Sequence, residues 1–297
     1  MMMDDELIAR FLARLTGRTH DNYAGRLRMW RAWLDGRGTR LLGATRQDVE
    51  EWIASRRAGG IGARTIGTDL GHLHGLYRWA MEEGITGADP TVLVRRPAWG
   101  RTERPWLGVD DTRRLLEASL TWSGGELAAH VHLWALSGLR PGEPRALAVT
   151  DLGSYDGVAT VSVPATKTPG RERLALPEST ARILADAAAG RRSGVLLIHP
   201  RTGWPWTMGS ERARLRRLLD HAGLPHVTAY GLRVGFITHA LAAGIDERLV
   251  MISARHASSS QTARYDRMRD QVERAAGPAL AQWLSSCADA APERATP

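Results

Sequence analysis

Ser137-Gly-Leu-Arg140-Pro-Gly-Glu143-Pro-Arg-Ala-Leu147 is the stretch on which the reading of this chain turns. Arg140 and Glu143 stand three residues apart there, so the carboxylate reads as an orienting partner for a buried guanidinium rather than as a base. Two segments follow it in order: Tyr230-Gly-Leu-Arg233, and His256-Ala-Ser-Ser-Ser-Gln-Thr-Ala-Arg-Tyr265, in which nine positions separate the histidine from the tyrosine. Taken singly, each is weak, because Gly-Leu-Arg recurs by chance and a lone tyrosine is usually a half-buried aromatic. Their order and spacing carry the weight.

Between the first two segments lies a short β region. Gly157-Val-Ala-Thr-Val-Ser-Val163 is rich in β-branched residues, Arg171-Glu-Arg-Leu-Ala-Leu176 alternates, and Thr166-Lys167-Thr168-Pro169-Gly170 reads as a turn. A β-hairpin with Lys167 at or near its tip follows. Lys167 is the single lysine among 40 basic residues. Arginine cannot lose its proton in a protein whereas lysine can, so a position that keeps lysine against such a bias is a candidate for proton transfer.

The 297 residues are 43% hydrophobic, enough for two ordinary domains with packed cores. Lys plus Arg total 40 against 32 acidic residues, and the formal charge of +8 favours a polyanionic partner, nucleic acid or an anionic membrane surface. No apolar run approaches the ~20 residues that span a bilayer. The N-terminus is acidic where a signal peptide would be basic, so a cytosolic protein is expected. Cys287 is the single cysteine, which rules out a disulfide or a thiolate metal cluster within one chain.

From residue 5 to about 85 the chain follows the helical period in four segments. Their apolar faces are Leu7, Phe11, Leu12 and Leu15; then Tyr23, Leu27, Trp30 and Leu34; then Val49, Trp52 and Ile53; then Ile66, Leu70, Leu73, Tyr77 and Ala80. Gly36, Gly59-Gly60 and Gly84 separate them. The aromatics lie on the buried stripes and read as core. Arg10, Arg14, Arg18, Arg26, Arg28, Arg31, Arg56, Arg57 and Arg64 fall on the polar faces, where solvated surface and phosphate contact stay equally open. Between Arg95 and Pro105 there is no period, with proline, glycine and arginine throughout, as in a basic linker. Helical patterns resume at 179–190, 210–222 and 229–243.

Together the three segments and the hairpin lysine resemble the tyrosine recombinases, the family of phage integrases and Xer-type recombinases. The resemblance covers roughly residues 105–270. It implies a mainly α fold: a helical core-binding domain at 1–95, a basic linker at 96–105, and a mostly helical catalytic domain with a small antiparallel β-sheet at 106–286. Residues 287–297 are expected to be a disordered tail.

The resemblance also implies site-specific cutting and rejoining of double-stranded DNA through a 3′-phosphotyrosine, without metal, ATP or other cofactor. Tyr265 is the implied nucleophile, and Arg140 and Arg233 the guanidiniums that fork onto the phosphate oxygens as charge builds there. His256 would donate to the phosphate or help move protons. Lys167 would protonate the leaving 5′ oxygen. Tyr230 occupies the slot where the family usually has His, Val234 stands where a second His is common, and Arg255 stands where Gly is usual. Tyr230 can still hydrogen-bond a phosphate oxygen but is a weak base at neutral pH.

The expected partners are duplex DNA, further copies of the chain as a tetramer on that DNA, with a monomer or weak oligomer off it, and an accessory DNA-bending protein. Pro278-Ala-Leu-Ala-Gln-Trp283-Leu284 reads as a short apolar helix, packed on its own domain or docked on a neighbouring protomer. Two other functions share many of these features: strand rejoining of the topoisomerase or telomere-resolvase kind, and DNA binding without catalysis.

Overall fold

Helical periodicity, with one apolar face per segment, governs the N-terminal part of the chain. The computed structural model describes residues 3–98, 100, 104–164 and 170–256, and its contacts divide into two units, Met1–Thr102 and Glu103–Pro297.

The first unit holds α1 (Asp4–Leu12), α2 (Gly17–Asp35), α3 (Arg46–Ala58) and α4 (Ala63–Glu82). Leu7, Phe11, Leu27, Trp30, Leu34, Trp52, Leu73, Tyr77 and Trp79 close one core between them. The aromatic stripe is therefore core, as its spacing requires. Two of its polar tips are paired inside that core: Trp30 Nε1 donates to Tyr77 Oη at 2.9 Å, and Tyr77 Oη donates to the Leu41 carbonyl at 2.9 Å. α3 starts on a reciprocal cap between Thr45 and Asp48.

The polar faces of this unit are less available to DNA than the sequence leaves open. Asp69, on α4, is fully buried, with Arg26 Nε at 2.9 Å and Arg56 Nη2 at 2.8 Å. Arg31 pairs with Asp5. Four of the nine candidate arginines thus face carboxylates of their own unit, Arg10 lying 3.9 Å from Glu83, and two of the four surround a carboxylate that water cannot reach.

The second unit opens with α5 (Val109–Thr121) and the wholly buried α6 (Ala128–Ala135). A three-stranded antiparallel sheet follows in the order β1 (Leu152–Tyr155), β2 (Val158–Pro164), β3 (Arg171–Ala175). β2 and β3 are the hairpin strands expected from the sequence. β1 is an addition, joined to β2 by the two-residue turn Asp156-Gly157, both in the left-handed region at φ 47° and 80°. Val161 and Val163 point into the core, with Leu174 across from Val161.

Helices α7 (Glu178–Ala188), α8 (Met208–His221), α9 (Ala229–Ala242) and α10 (Glu247–Ser253) complete the described part. α9 is apolar on two sides. Leu232 joins the main core with Val131, Leu139, Leu184 and Leu218, while Ile237 and Leu241 form a second cluster with Val250 and Ala254. That second cluster fixes α10 against α9 and so brings the end of α10 to the site below. The expected lysine turn, the 278–284 helix and the 287–297 tail lie outside the described residues, as do Trp99 and residues 101–103 of the linker.

Candidate active site

α9 begins where Thr228 accepts a hydrogen bond from Gly231 N at 3.2 Å. One turn separates Tyr230 from Arg233 on this helix, so the two share a face. Arg233 is 3% exposed, and its two terminal nitrogens donate to the carbonyls of Gly138 and Ala254. A guanidinium presents its donors in a rigid fork, so holding two carbonyls fixes the plane of the group.

The Gly138 carbonyl comes from the loop that follows α6. Gly138 has φ 62°, and a Cβ there would lie 2.5 Å from the Phe236 ring on α9. Glycine is required on both counts, left-handed backbone and close approach. Two residues on, Arg140 Nη1 lies 3.1 Å from Glu143 Oε1, and its backbone N–H donates to Glu143 Oε2 at 2.5 Å. Arg140 Nη2 donates to the Arg255 carbonyl at 2.6 Å.

α10 ends in a Schellman turn, with Arg255 N donating to Ile252 O at 2.9 Å and His256 N to Met251 O at 3.0 Å. That motif places residue 255 in the left-handed region, and Arg255 has φ 52°. An L residue there costs on the order of 1–2 kcal/mol, which gives the physical reason glycine suits this position. The arginine is held by burial and charge: its Nη2 reaches the Glu143 carboxylate, and its Nε lies 3.4 Å from Glu172 Oε2. Burial pushes its pKa down and the Glu143 charge pushes it back up.

His256 follows directly. Burial first, then the charges of Arg233, Arg140 and Arg255, hold its imidazole down to about 4 from the usual 6.5. At neutral pH it is therefore a neutral ring among three guanidiniums. Such a pocket favours an anion with several oxygens, and the ring can give an N–H to one of them.

At the start of α9, the guanidinium of Arg104 sits 4.2 Å from the centre of the Tyr230 ring. A Cβ at Gly231 would meet the Pro105 carbonyl at 2.4 Å, so this glycine lets the chain after the linker cross the helix start closely. His239 rests edge-on against Trp106 and His226 pairs with Asp220 at 2.5 Å, neither at the guanidinium cluster.

Residues 8–84 match the phage integrase N-terminal SAM-like domain, and residues 105–272 match the phage integrase family. The chain belongs to the phage integrase family. It is 30% identical over 283 residues to the tyrosine recombinase XerD of Pseudomonas aeruginosa, covering 89% of this chain and 93% of that one. With the tyrosine recombinase XerC of Rhodospirillum centenum it shares 31% identity over 242 residues, 78% of this chain and 69% of the relative. Its fold is similar to that of a lambda integrase tetramer bound to a Holliday junction, with TM-score 0.72, 18% identity, and 91% and 79% of the two chains covered. It is equally similar to the Tn1549 transposon integrase in complex with a circular intermediate DNA, at TM-score 0.72, 19% identity, and 92% and 100% covered.

In this integrase-family chain the structure brings Arg140, Glu143, Arg233 and His256 to one place, and sets Tyr230 on the same face of α9 as Arg233. Lys167 and Tyr265 lie outside the described residues. Two further residues stand at the site: Arg255, whose signal in the sequence is a charged residue in a glycine slot, and Arg104, which in the sequence is one arginine among several in the basic segment.

Proposed function

We propose that this chain is a site-specific DNA recombinase that cuts and rejoins strands through a phosphotyrosine intermediate. The observation that carries the reading is the convergence of Arg140, Arg233 and a neutral His256 from three segments distant in sequence, with Tyr265 nine residues beyond the histidine. In this mechanism Arg140 and Arg233 bind the non-bridging oxygens of one phosphodiester and stabilise the charge that grows there during attack. Tyr265 Oη attacks phosphorus, the bond to the 5′ oxygen breaks, and a 3′-phosphotyrosine forms. Lys167 supplies the proton that the departing 5′ oxygen takes up.

His256, with its basicity suppressed by burial and by the neighbouring guanidiniums, serves first as an N–H donor to the phosphate. A bound anion offsets the guanidinium field and restores some of that basicity, so His256 can then take up the Tyr265 proton. Glu143 orients Arg140, and Tyr230 donates to a phosphate oxygen. A free 5′-hydroxyl from another strand reverses the step with no outside energy source, metal or cofactor.

Duplex DNA is the partner, held by arginines such as the exposed Arg212 and Arg216 of α8, about one helical turn apart, and Arg217 beside Arg216. The active assembly is a tetramer on two duplexes, with a monomer or weak oligomer off DNA and an accessory DNA-bending protein. No helix among the described residues is long and apolar enough to cross a membrane. We place the protein in the cytoplasm, with the DNA. The test is a supercoiled plasmid carrying two copies of the recognition site, incubated with the protein and EDTA. Deletion or inversion between the sites is expected; relaxation without exchange would move the function to topoisomerase chemistry, and binding alone to a non-catalytic relative.

A further inference from the structure

Glu211 lies on α8 directly before Arg212, yet it is only 3% exposed, while Arg212 and Arg216 face solvent. A carboxylate kept from water needs partners, and two side chains from other elements supply them. Arg145 Nη1 donates to Glu211 Oε2, and His130 Nε2, on α6, lies 3.0 Å from Glu211 Oε1. The His130 ring is itself buried, with the buried Trp206 edge-on to it at 5.0 Å between centres. Burial lowers the pKa of His130 and leaves the ring neutral at pH 7, so Arg145 supplies the charge that compensates Glu211.

Arg145 sits in the short helical turn Pro144–Ala146, immediately after Glu143. The stretch that carries Arg140 is bonded to itself: Glu143 takes the backbone N–H and the guanidinium of Arg140, Glu143 N donates to Arg140 O at 2.9 Å, and Ala146 N to Glu143 O at 3.0 Å. Its upstream end rests on α9, where Gly138 packs against Phe236. Its downstream end is held by Leu147 in the core and by Arg145 on α8.

We infer that Glu211 is a positioning residue for strand cleavage: through Arg145 it sets the Arg140 guanidinium in register with α8, the helix whose outer face carries Arg212 and Arg216. The inference rests on the recombinase reading and deepens it, since those arginines hold the DNA backbone and Arg140 has to meet one phosphodiester of it. Apolar burial keeps Leu147 in place without direction, whereas a charge-assisted N–H···O bond fixes an angle as well as a distance. A misplacement of about 1 Å at a reacting group can cost about a hundredfold in rate. A buried ion pair adds little net stability over apolar side chains of the same volume, so its presence here fits a role in register rather than in stability.

The test compares full-length wild type with Arg145→Met/Glu211→Leu, in which apolar side chains replace both partners, and with Arg145→Lys, which keeps the ion pair. Each is measured on a nicked duplex carrying the cleavage site located with wild type, for DNA affinity and for the rate of strand cutting at saturating protein. A second duplex carries methyl in place of one non-bridging oxygen of the scissile phosphate. That phosphate is uncharged, so attack on it depends far less on the Arg140 guanidinium.

The double variant is expected to melt close to wild type, to bind DNA within about twofold, and to cut the ordinary duplex at least about tenfold more slowly. On the methyl duplex it is expected to cut within about threefold of wild type, the same pattern as Arg140→Ala, and Arg145→Lys is expected to retain most of the rate on both. Should the double variant not fold, Arg145→Met alone, at a side chain that reaches the surface, carries the same comparison. Equal slowing on both duplexes would overturn the inference and leave the pair a support of the fold. A wild-type rate on the ordinary duplex would overturn it outright, as would weaker binding with an unchanged rate at saturation, which would make Arg145 a DNA contact. The parent reading is judged separately, by whether wild type cuts the ordinary duplex and Tyr265→Phe does not.

Discussion

Arg233, Arg140 and His256 owe their placement to backbone carbonyls, one carboxylate and a helix-ending turn rather than to one another. Arg233 is fixed by the carbonyls of Gly138 and Ala254, Arg140 by the carboxylate of Glu143 and the carbonyl of Arg255, and His256 by the turn that ends α10. Each group is thus oriented before any phosphate arrives, which is the arrangement electrostatic catalysis needs. It has a measurable acid signature. His256 titrates near 4 when folded and near 6.5 when unfolded, so between those values the unfolded chain binds the extra proton. Stability is full above pH 6.5 and is lost as the pH falls toward 4. Burial shifts His130, His132 and His239 in the same direction, and they add to the slope. Melting temperatures of the DNA-free protein are therefore expected to drop from pH 7 to pH 4.5. His256→Asn should flatten the curve in part, while an unchanged slope in that variant would mean that the ring is not shielded as described.

At the scale of elements, the four N-terminal helices were legible because each buries one stripe and exposes the rest. Phe11, Trp30, Trp52 and Tyr77 fall into one core as their spacing requires. The hairpin of β2 and β3 was legible from its β-branched run and alternation. β1 was not: Leu-Gly-Ser-Tyr is exposed over three of its four residues, so no alternation marks it, and the Asp156-Gly157 pair was the available clue. Nor did the sequence reveal which arginines meet carboxylates, since that depends on how helices pack. The Asp69 cluster shows this, for Arg26 comes from α2 and Arg56 from α3. Asp69→Ala leaves the part-exposed guanidiniums of Arg26 and Arg56 with no counter-charge, and should cost about 2 kcal/mol of unfolding free energy. Urea unfolding followed by tryptophan fluorescence reports it through the buried Trp30, Trp52 and Trp79. A loss below about 1 kcal/mol would place these pairs with ordinary surface salt bridges.

For the molecule as a whole, two helical units with a basic connecting segment and a charge of +8 are suited to a polyanion. Family membership was legible in the order of Arg140, Lys167, Arg233, His256 and Tyr265, because an active site assembled from distant segments leaves its trace as spacing. The contribution of Arg255 was not, because it depends on a left-handed turn and on two carboxylates reached from different elements. The central claim is that this cationic site serves a tyrosine nucleophile nine residues past His256. The most direct test mixes wild type, Tyr265→Phe and Tyr230→Phe with nicked duplexes tiled from the DNA flanking the protein's own gene. Products are denatured in SDS and scored for a protease-sensitive protein–DNA band. The account predicts a band with wild type and with Tyr230→Phe, at reduced yield in the latter, and none with Tyr265→Phe; a band that survives in Tyr265→Phe and vanishes in Tyr230→Phe would contradict it.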